Sequence, residues 1–569
     1  MNLLGKGNDK EFFSNDVRNK ECYRAYREWL LKDYETHCTG EGEFFSLRYS
    51  AYKIYAATGE RQTFQNPYYR RRYQLGITSL LALIYPEEEK YMTFLMDKIF
   101  EVCNEYSWCI PAHQPNYLEK IRHDYIDLFA AETGFTLAQI YTLLKDRLDG
   151  FILRLIESEI DRRIINSFIN SPDTYNWETK STNNWAAVCM GSVGSTVMLM
   201  RPERYPEIEA RADATMERYL SGFGDDGFCL EGTHYWHYGF GFFTAYAEIL
   251  RRFTEGEKDY FKLPKVKAVA TFIQKMYLSG KASVSFADCG RTLEYHLGMC
   301  HKMKSLYPDE VKVYSPELAY FDDFCGRYCL RLGAAIWLDE DTYNSPEPND
   351  GDGEYYGENA QWLIKRNQNY GFAAKAGHNK EPHNHNDVGS FIYAKDGRQV
   401  LCDVGIGVYS KQYFNSQTRY TFIQCSSLGH SLPYFGDKRA QLAGAEFAAS
   451  DVSYKDGVFS FDMAGAYGIP ELKSARRTFV LSEDRIKLTD EFVFESDEPI
   501  TERITTLQRP VSTEGGVIEL ENTKILYDEG AVEEININTE PLTRGDAKEY
   551  YLIDFKLRSG AKSFTATVI

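Results

Sequence analysis

The sequence predicts a multidomain α+β protein, a helical half followed by an antiparallel β-sandwich, and three observations predict it. First, 569 residues are more than one hydrophobic core organises. Second, apolar residues recur at three- and four-residue spacing through the first half and alternate with period two through most of the last two hundred residues. Third, the two regimes meet at Asn344 to Gly357, NSPEPNDGDGEYYG, a Pro, Asp and Gly cluster that reads as a linker. The expected division is therefore a helical domain over 1–345 and a sheet domain over 346–569.

In the helical half the spacing predicts helices over Asp124–Leu144, Ile152–Ile169 and Val266–Leu278, with Pro172 as a stop between neighbours. Many such helices in succession, with no strand-like alternation between them, point to stacked helical hairpins. In the second half, short runs rich in Val, Ile, Phe and Tyr predict strands over Gln361–Lys365, Ser390–Ala394, Arg398–Asp403, Val458–Met463, Arg477–Leu481 and Arg485–Thr489. Lys395-Asp396-Gly397 and Lys455-Asp456-Gly457 are the turns. Evenly spaced strands of this kind build a large sandwich.

Composition narrows the function. A formal charge of -18 argues against nucleic acid as the main partner, because phosphate binding needs a basic footprint. It weighs little against oligosaccharides. No apolar run reaches the ~20 residues of a membrane span, and the N-terminus lacks the apolar core of a signal peptide. A cytoplasmic location is expected, or a secreted or periplasmic one if a signal has been removed. The twelve cysteines lack CxxC pairs and read as buried thiols. With 42 Tyr and 35 Phe, the chain has rings either for large cores or for a cleft that takes the apolar faces of sugars. Association into a homo-oligomer is compatible with all of this.

Histidine is scarce, and the segment Glu381–Gly389, EPHNHNDVG, holds two of the eleven, His383 and His385. On a strand entrance they would face opposite ways and do different jobs. His385, Asp403 and His430 offer two imidazoles and a carboxylate, a set that suits Zn²⁺ or a similar divalent ion. Taken alone they are more commonly three independently satisfied polar residues at strand ends. In TNNWAAVCM, Asn183 and Asn184 precede an apolar helix, where a helix cap is the simplest account. In DGFCLEGTHYWHYGFGFF, Glu231, His234, Tyr235, Trp236, His237 and Tyr238 crowd one stretch. On a helix His234 and Tyr238 share a face, pairing a candidate base with a phenol.

Together these segments resemble the heparinase II/III-like superfamily of polysaccharide lyases. The resemblance rests on WCIPAH (Trp108–His113), IDLFAAET (Ile126–Thr133), NNW (Asn183–Trp185), DGFCLEGTHYWHYG (Asp226–Gly239), HNHNDVGSF (His383–Phe391) and SSLGHSLP (Ser426–Pro433), in that order. It implies an incomplete α/α toroid before the sandwich, an active site in the cleft between them, and β-elimination at a uronic acid that leaves a 4,5-unsaturated end. It implies Tyr238 as the proton-transferring group, Asn184 as the neutraliser of the uronate carboxylate and His383 as a further catalytic group. It also implies a structural zinc-like metal, with Mn or Ca as alternatives, on His385, Asp403 and His430. Several relatives carry His near the neutralising position, where this chain has Asn184-Trp185.

His234 joins the catalytic candidates on spacing alone. Asn183, His113, Trp236, Arg419 and Tyr420 are candidates for contacting sugar, although Tyr420 serves equally as an ordinary strand-end tyrosine. The implied partner is a uronic-acid-containing chain such as heparan sulfate, hyaluronan, chondroitin or alginate. Two other readings compete: an α/α-barrel glycosidase using Asp226 and Glu231, and an inactive carbohydrate-binding relative.

Overall fold

The computed structural model describes residues 2–40, 46–115, 122–172, 174–321, 325–348, 351–543 and 547–569. The chain forms two compact units. The first holds Met1–Gly222, Trp236–Lys267 and Tyr295–Glu347; the second holds Phe223–Tyr235, Ala268–Glu294 and Pro348–Ile569. Two short stretches from within the first 345 residues therefore belong with the sheets. Of the Pro, Asp and Gly cluster, Asn344 ends the short helix Glu340–Asn344 and Gly353–Gly357 is a strand, while residues 349–350 lie outside the described residues.

The first unit is helical. Its long members include Gln62–Ile84, Leu128–Leu144, Asn184–Met200 and Gly241–Phe253. Helices that are buried on nearly every side must be apolar all round, and Leu128–Leu144 and Asn184–Met200 are of this kind. Gly150–Ile160 instead buries one stripe, Ile152, Ile156 and Ile160. Asn184–Met200 is central, packing against Leu128–Leu144, Glu209–Ser221 and Gly241–Phe253. Its small residues permit this: a Cβ on Gly191 would lie 3.1 Å from the carbonyl of Phe242, and one on Gly194 would lie 2.7 Å from the Tyr246 ring. The late helix Tyr328–Ile336 returns to pack on Gln62–Ile84, Leu128–Leu144 and Gly241–Phe253, which curls the stack into an incomplete toroid.

Two expected helices are shorter than predicted. Leu128–Leu144 begins at its cap, Asp127, rather than at Asp124. The stretch predicted as Val266–Leu278 breaks into Pro264–Ala270 and Phe272–Met276, and Tyr277–Ser279 then pairs with Ala282–Ser283 as a small hairpin. Tyr277 and Leu278 are apolar and buried, and such short apolar runs fit strand and helix equally well.

The second unit stacks antiparallel sheets. One runs in the order Ser450–Lys455, Val458–Asp462, Leu472–Leu481, Ile486–Phe494, Ser563–Val568, Lys524–Tyr527 and Val517–Glu519. The other runs Val532–Pro541, Glu549–Leu557, Ile500–Thr506, Arg398–Leu401, Phe391–Lys395, Gly371–Lys375, Trp362–Arg366 and Gly353–Gly357, with Tyr434–Phe435 added beside Ile500–Thr506. Phe372 and Phe391 from one sheet meet Phe479 from the other at ring distances of 5.1 and 5.2 Å. The predicted strands are present with ends shifted by a few residues, the largest changes being Leu472–Leu481 in place of Arg477–Leu481 and Ile486–Phe494 in place of Arg485–Thr489.

A buried cation fixes the loops above this core. Arg477 pairs with Asp490 and reaches Glu502 at 3.3 Å, so its charge is compensated. Its Nη1 donates to the carbonyls of Gly389 at 2.8 Å and Ser431 at 2.7 Å. The loops after His385 and after His430 are thereby tied to one side chain. Gly389 has φ +99° and a Cβ there would meet Met463 Sδ at 2.8 Å, so only glycine fits. All twelve cysteines are buried thiols. Among the described residues no helix is long and apolar enough to cross a membrane.

Candidate functional site

Each unit carries one cluster of chemistry-bearing residues. In the helical unit, Asn184 opens its helix and is buried. Gly239 is the residue that lets the Tyr238 segment approach: a Cβ on it would stand 3.1 Å from both Cα and Cβ of Asn184. Tyr238 is buried, and its hydroxyl donates to Glu132. The guanidinium of Arg327 lies over the Tyr238 ring, 3.7 Å from its centre, and its Nε is 3.8 Å from Glu132. Burial and the charge of Glu132 hold the Tyr238 phenol well above its ordinary pKa, and Arg327 opposes them only in part. The phenol is a proton donor at neutral pH.

In the same unit, Asp127 does two jobs. One oxygen caps its helix by accepting from the amide of Ala130, and the other lies 2.8 Å from Nδ1 of His113. His113 therefore donates from Nδ1. Its ring lies 5.7 Å from that of Phe129, nearly parallel, and 4.8 Å from that of Trp185. Burial lowers its pKa, against the pull of Asp127. Asn183 is the cap that its residue type suggests, accepting from the amide of Trp185 at 3.2 Å. Trp236, expected to contact sugar, is a core residue: it is fully buried and stacked on Phe240.

The sequence also suggested one helix through His234 and Tyr238. A single turn, Thr233–Tyr235, passes instead into a π-helical turn, Trp236–Phe240. The α-helical spacing behind that pairing does not hold, and wide turns of this sort recur at functional sites. Nδ1 of His234 lies 3.0 Å from Glu294.

In the sheet unit, His383 and His385 lie in a loop rather than at a strand entrance. They face differently because His383 takes a left-handed backbone, φ +58°. Such a conformation costs about 1 kcal/mol or more in a non-glycine residue. His383 remains partly exposed, whereas His385 is fully enclosed. The Tyr235 ring stacks on His383 at 4.0 Å, and the edge of exposed Phe414 approaches at 6.1 Å. Glu231 comes within 4.0 Å of Nε2.

Beneath them is a residue that sequence reasoning passed over. Asp288, fully buried, accepts from Nδ1 of His383 at 3.0 Å, Nε2 of His385 at 3.1 Å, Arg419 at 3.1 Å and Tyr413 at 2.5 Å. Arg419, expected at sugar, also donates to the carbonyls of His383, Asn384 and Tyr413. Its donors hold the His383 loop, which corrects that expectation. Tyr420 donates to Asn384 Oδ1 at 3.0 Å.

His385, Asp387, Asp403 and His430 each bring one ligand atom to within 4.8 Å of the others, and all four are buried. In each, one atom is pinned by protein. Asp288 holds His385 Nε2, Lys375 holds Asp387 Oδ1 at 2.7 Å, the amide of Gly405 holds Asp403 Oδ1 at 2.8 Å, and the carbonyl of Gln424 holds His430 Nε2 at 3.0 Å. The other atom, His385 Nδ1, Asp387 Oδ2, Asp403 Oδ2 or His430 Nδ1, is buried without a well-aligned hydrogen bond, although His430 Nδ1 and Asp403 Oδ2 face each other at 3.2 Å. Buried polar atoms are seldom left this way, and four in one place suit a cation. The donor set fits a divalent metal, and it contains Asp387, which the sequence reading left out.

Asp226, weighed above as a hydrolytic carboxylate, is occupied with backbone. It accepts from the amides of Phe228, Asn359 and Ala360 at 2.9–3.1 Å. The overlooked residues had a sequence signal of one kind: Glu132 and Asp288 are lone acids inside apolar runs, LFAAETGF and VSFADCG. A charge in such a place is retained when partners compensate it.

No protein-family model matches the chain, and no curated protein is significantly similar to it in sequence. Its fold is shared with solved structures. It matches the crystal structure of heparinase III with a TM-score of 0.65 over 99% of this chain and 84% of the other, at 13% identity. A second heparinase III structure matches with a TM-score of 0.61, over 98% and 92% of the two chains, at 11% identity. A mutant of heparan sulfate lyase from Pedobacter heparinus matches with a TM-score of 0.58, over 98% and 85%, at 12% identity. The toroid-and-sandwich fold that the motif resemblance implied is thus the fold of the chain.

Proposed function

We propose that the chain is a polysaccharide lyase that cleaves uronic-acid-containing glycans by β-elimination. The observation that carries this reading is the cluster in the helical unit: Asn184 packed on the Tyr238 segment through Gly239, with the Tyr238 phenol held between Glu132 and Arg327. The fold shared with heparinase III structures supports it.

Elimination is slow because the C5 proton is barely acidic beside an ionised carboxylate. A carboxamide hydrogen-bonded to that carboxylate, the role given to Asn184, stabilises the charge that develops on it. Tyr238, protonated at neutral pH, is suited to donate to the departing glycosidic oxygen, and Arg327 over its ring then stabilises the phenolate. His383 is the proposed acceptor of the C5 proton. Its Nδ1 faces Asp288, so in the neutral ring the lone pair lies on Nε2. His234, which faces Glu294, is given no step.

The metal is proposed to be structural. His385, Asp387, Asp403 and His430 would hold it, and a nitrogen and oxygen set of this size suits Zn²⁺ or Mn²⁺ better than Ca²⁺, which takes six or more oxygens. A bound cation would cross-link the loops that carry His385, Asp403 and His430.

The test is to incubate the protein with heparan sulfate, hyaluronan, chondroitin sulfates and alginate and record the ultraviolet absorbance of unsaturated uronate ends. Product from at least one, abolished by Tyr238→Phe, is the expected result. Folded, metal-loaded protein that forms reducing ends without absorbance would make it a hydrolase and end this reading.

A further inference from the structure

We propose that Asp288 is a positioning residue that sets the tautomers of two histidines at once, so that a cation bound at His385 and the proton-accepting face of His383 depend on one carboxylate. The inference deepens the lyase reading and rests on it for the role of His383.

An ionised carboxylate accepts hydrogen bonds and donates none. Asp288 has one oxygen on each imidazole, Oδ2 at 3.0 Å from His383 Nδ1 and Oδ1 at 3.1 Å from His385 Nε2. Both nitrogens must therefore carry hydrogen. In neutral rings the lone pairs then fall on His383 Nε2 and His385 Nδ1. The first belongs to the partly exposed ring stacked on Tyr235, and the second is one of the four buried atoms without a well-aligned hydrogen bond. A single anion thus makes one ring a proton acceptor and the other a metal ligand. Opposite nitrogens are selected because one ring presents Nδ1 to the carboxylate and the other presents Nε2.

The surroundings keep this carboxylate in place. Arg419 and Tyr413 donate one to each oxygen, and Tyr409 adds a longer contact at 3.3 Å. Arg419 simultaneously holds the carbonyls of His383 and Asn384, which fixes the backbone between the two histidines. Left-handed backbone at Ala287, φ +65°, and at His383, φ +58°, marks both sides of the contact. Local strain of this kind persists where surrounding contacts over-determine it. Carboxylates behind metal-bound histidines are a general device. Here the same carboxylate also faces a second histidine.

A different arrangement is chemically open and must be told apart. Asp288, His385 and Cys425 also bring ligand atoms within 4.8 Å of one another, so a cation on the other side of the His385 ring would make Asp288 a direct ligand. Cobalt separates the two, because a thiolate ligand adds an intense sulfur-to-metal absorption that nitrogen and oxygen ligands lack.

The experiment titrates Co²⁺ into the full-length protein and into Asp288→Asn, and records ¹⁵N-histidine spectra of both, with His383→Gln and His385→Gln to assign the rings. Wild type is expected to bind Co²⁺ without sulfur absorption and to show His383 protonated on Nδ1. In Asp288→Asn the Co²⁺ affinity should fall roughly 10–100-fold, and the His383 signal should move towards the Nε2-protonated form. If that variant does not fold, Tyr413→Phe, which removes one donor and leaves the carboxylate, should weaken Co²⁺ binding in the same direction. Unchanged affinity together with an unchanged His383 tautomer would overturn the proposal, and so would a sulfur band in wild type. Failure of the lyase reading looks different: no unsaturated product from any uronate, with the cobalt and nitrogen results as expected.

Discussion

Gly239 lies so close to Asn184 that a Cβ on it would stand 3.1 Å from both Cα and Cβ of that residue. The same position would meet the Tyr219 hydroxyl at 3.1 Å. Contact this tight means that the absence of a side chain at Gly239 sets how near the Tyr238 segment comes to the start of the Asn184 helix.

Gly239→Ala should therefore impair catalysis more than folding. Overpacking of this size costs about 1–3 kcal/mol, while a displacement of Asn184 should lower kcat by roughly tenfold or more. Gly194→Ala is the control, since its Cβ would meet the Tyr246 ring at 2.7 Å, in the same helix but away from Tyr238. It should destabilise at least as much and leave the turnover of the folded fraction unchanged. Equal turnover losses in both variants would show that the effect is only a loss of stability.

Glu132→Gln tests how Tyr238 is tuned. The Glu132 charge helps to hold the phenol well above its ordinary pKa, so removing it should lower the Tyr238 pKa. Ionised tyrosine is no longer an acid, and the alkaline limb of the pH–rate profile should move to lower pH. With it, kcat should fall by about 10–100-fold. An alkaline limb that stays in place would remove Tyr238 from the acid role.

Stripping the cation with a chelator should lower the melting temperature. At a thousandfold excess over Kd, a bound metal contributes about 4 kcal/mol to the folded state. His430→Ala should melt at the stripped temperature whether or not metal is added. Asp387→Asn separates the four-residue set from the three-residue set expected from sequence: a clear loss of Zn²⁺ affinity is expected, and unaltered affinity would leave Asp387 outside the shell.

His301, in the helical unit, should contribute to acid sensitivity. Burial pushes its ring down to about 4, against the pull of Asp339, whose backbone amide donates to Nδ1 at 3.0 Å. The unfolded chain takes up the proton near pH 6.5, so the stabilisation is complete above that pH and is lost as the pH falls towards 4. Its full size is of the order of 3 kcal/mol. In His301→Asn, which retains an acceptor for that amide, the melting temperature should fall less steeply between pH 6.5 and 4. Parallel curves would assign the acid sensitivity to other groups.

The sequence by itself determined the class of each half, because periods of 3.6 and 2 follow from backbone geometry and survive in the order of apolar residues. His385, Asp403 and His430 were also legible as ligand types. The resemblance pointed to Asn184 and Tyr238, each within a short motif. Tertiary structure decided which acids stand behind them. Glu132 is 106 residues from Tyr238, and Asp288 is 95 and 97 residues from the two histidines it holds. Pairing across such separations leaves no local period to read. Only the fold could also move Trp236 into a core and turn Arg419 inward, because burial is a property of what packs around a residue and not of its type. The lone charges inside apolar runs were the one trace of these partnerships in the chain, since an acid is retained in such a place when donors brought from elsewhere offset its desolvation.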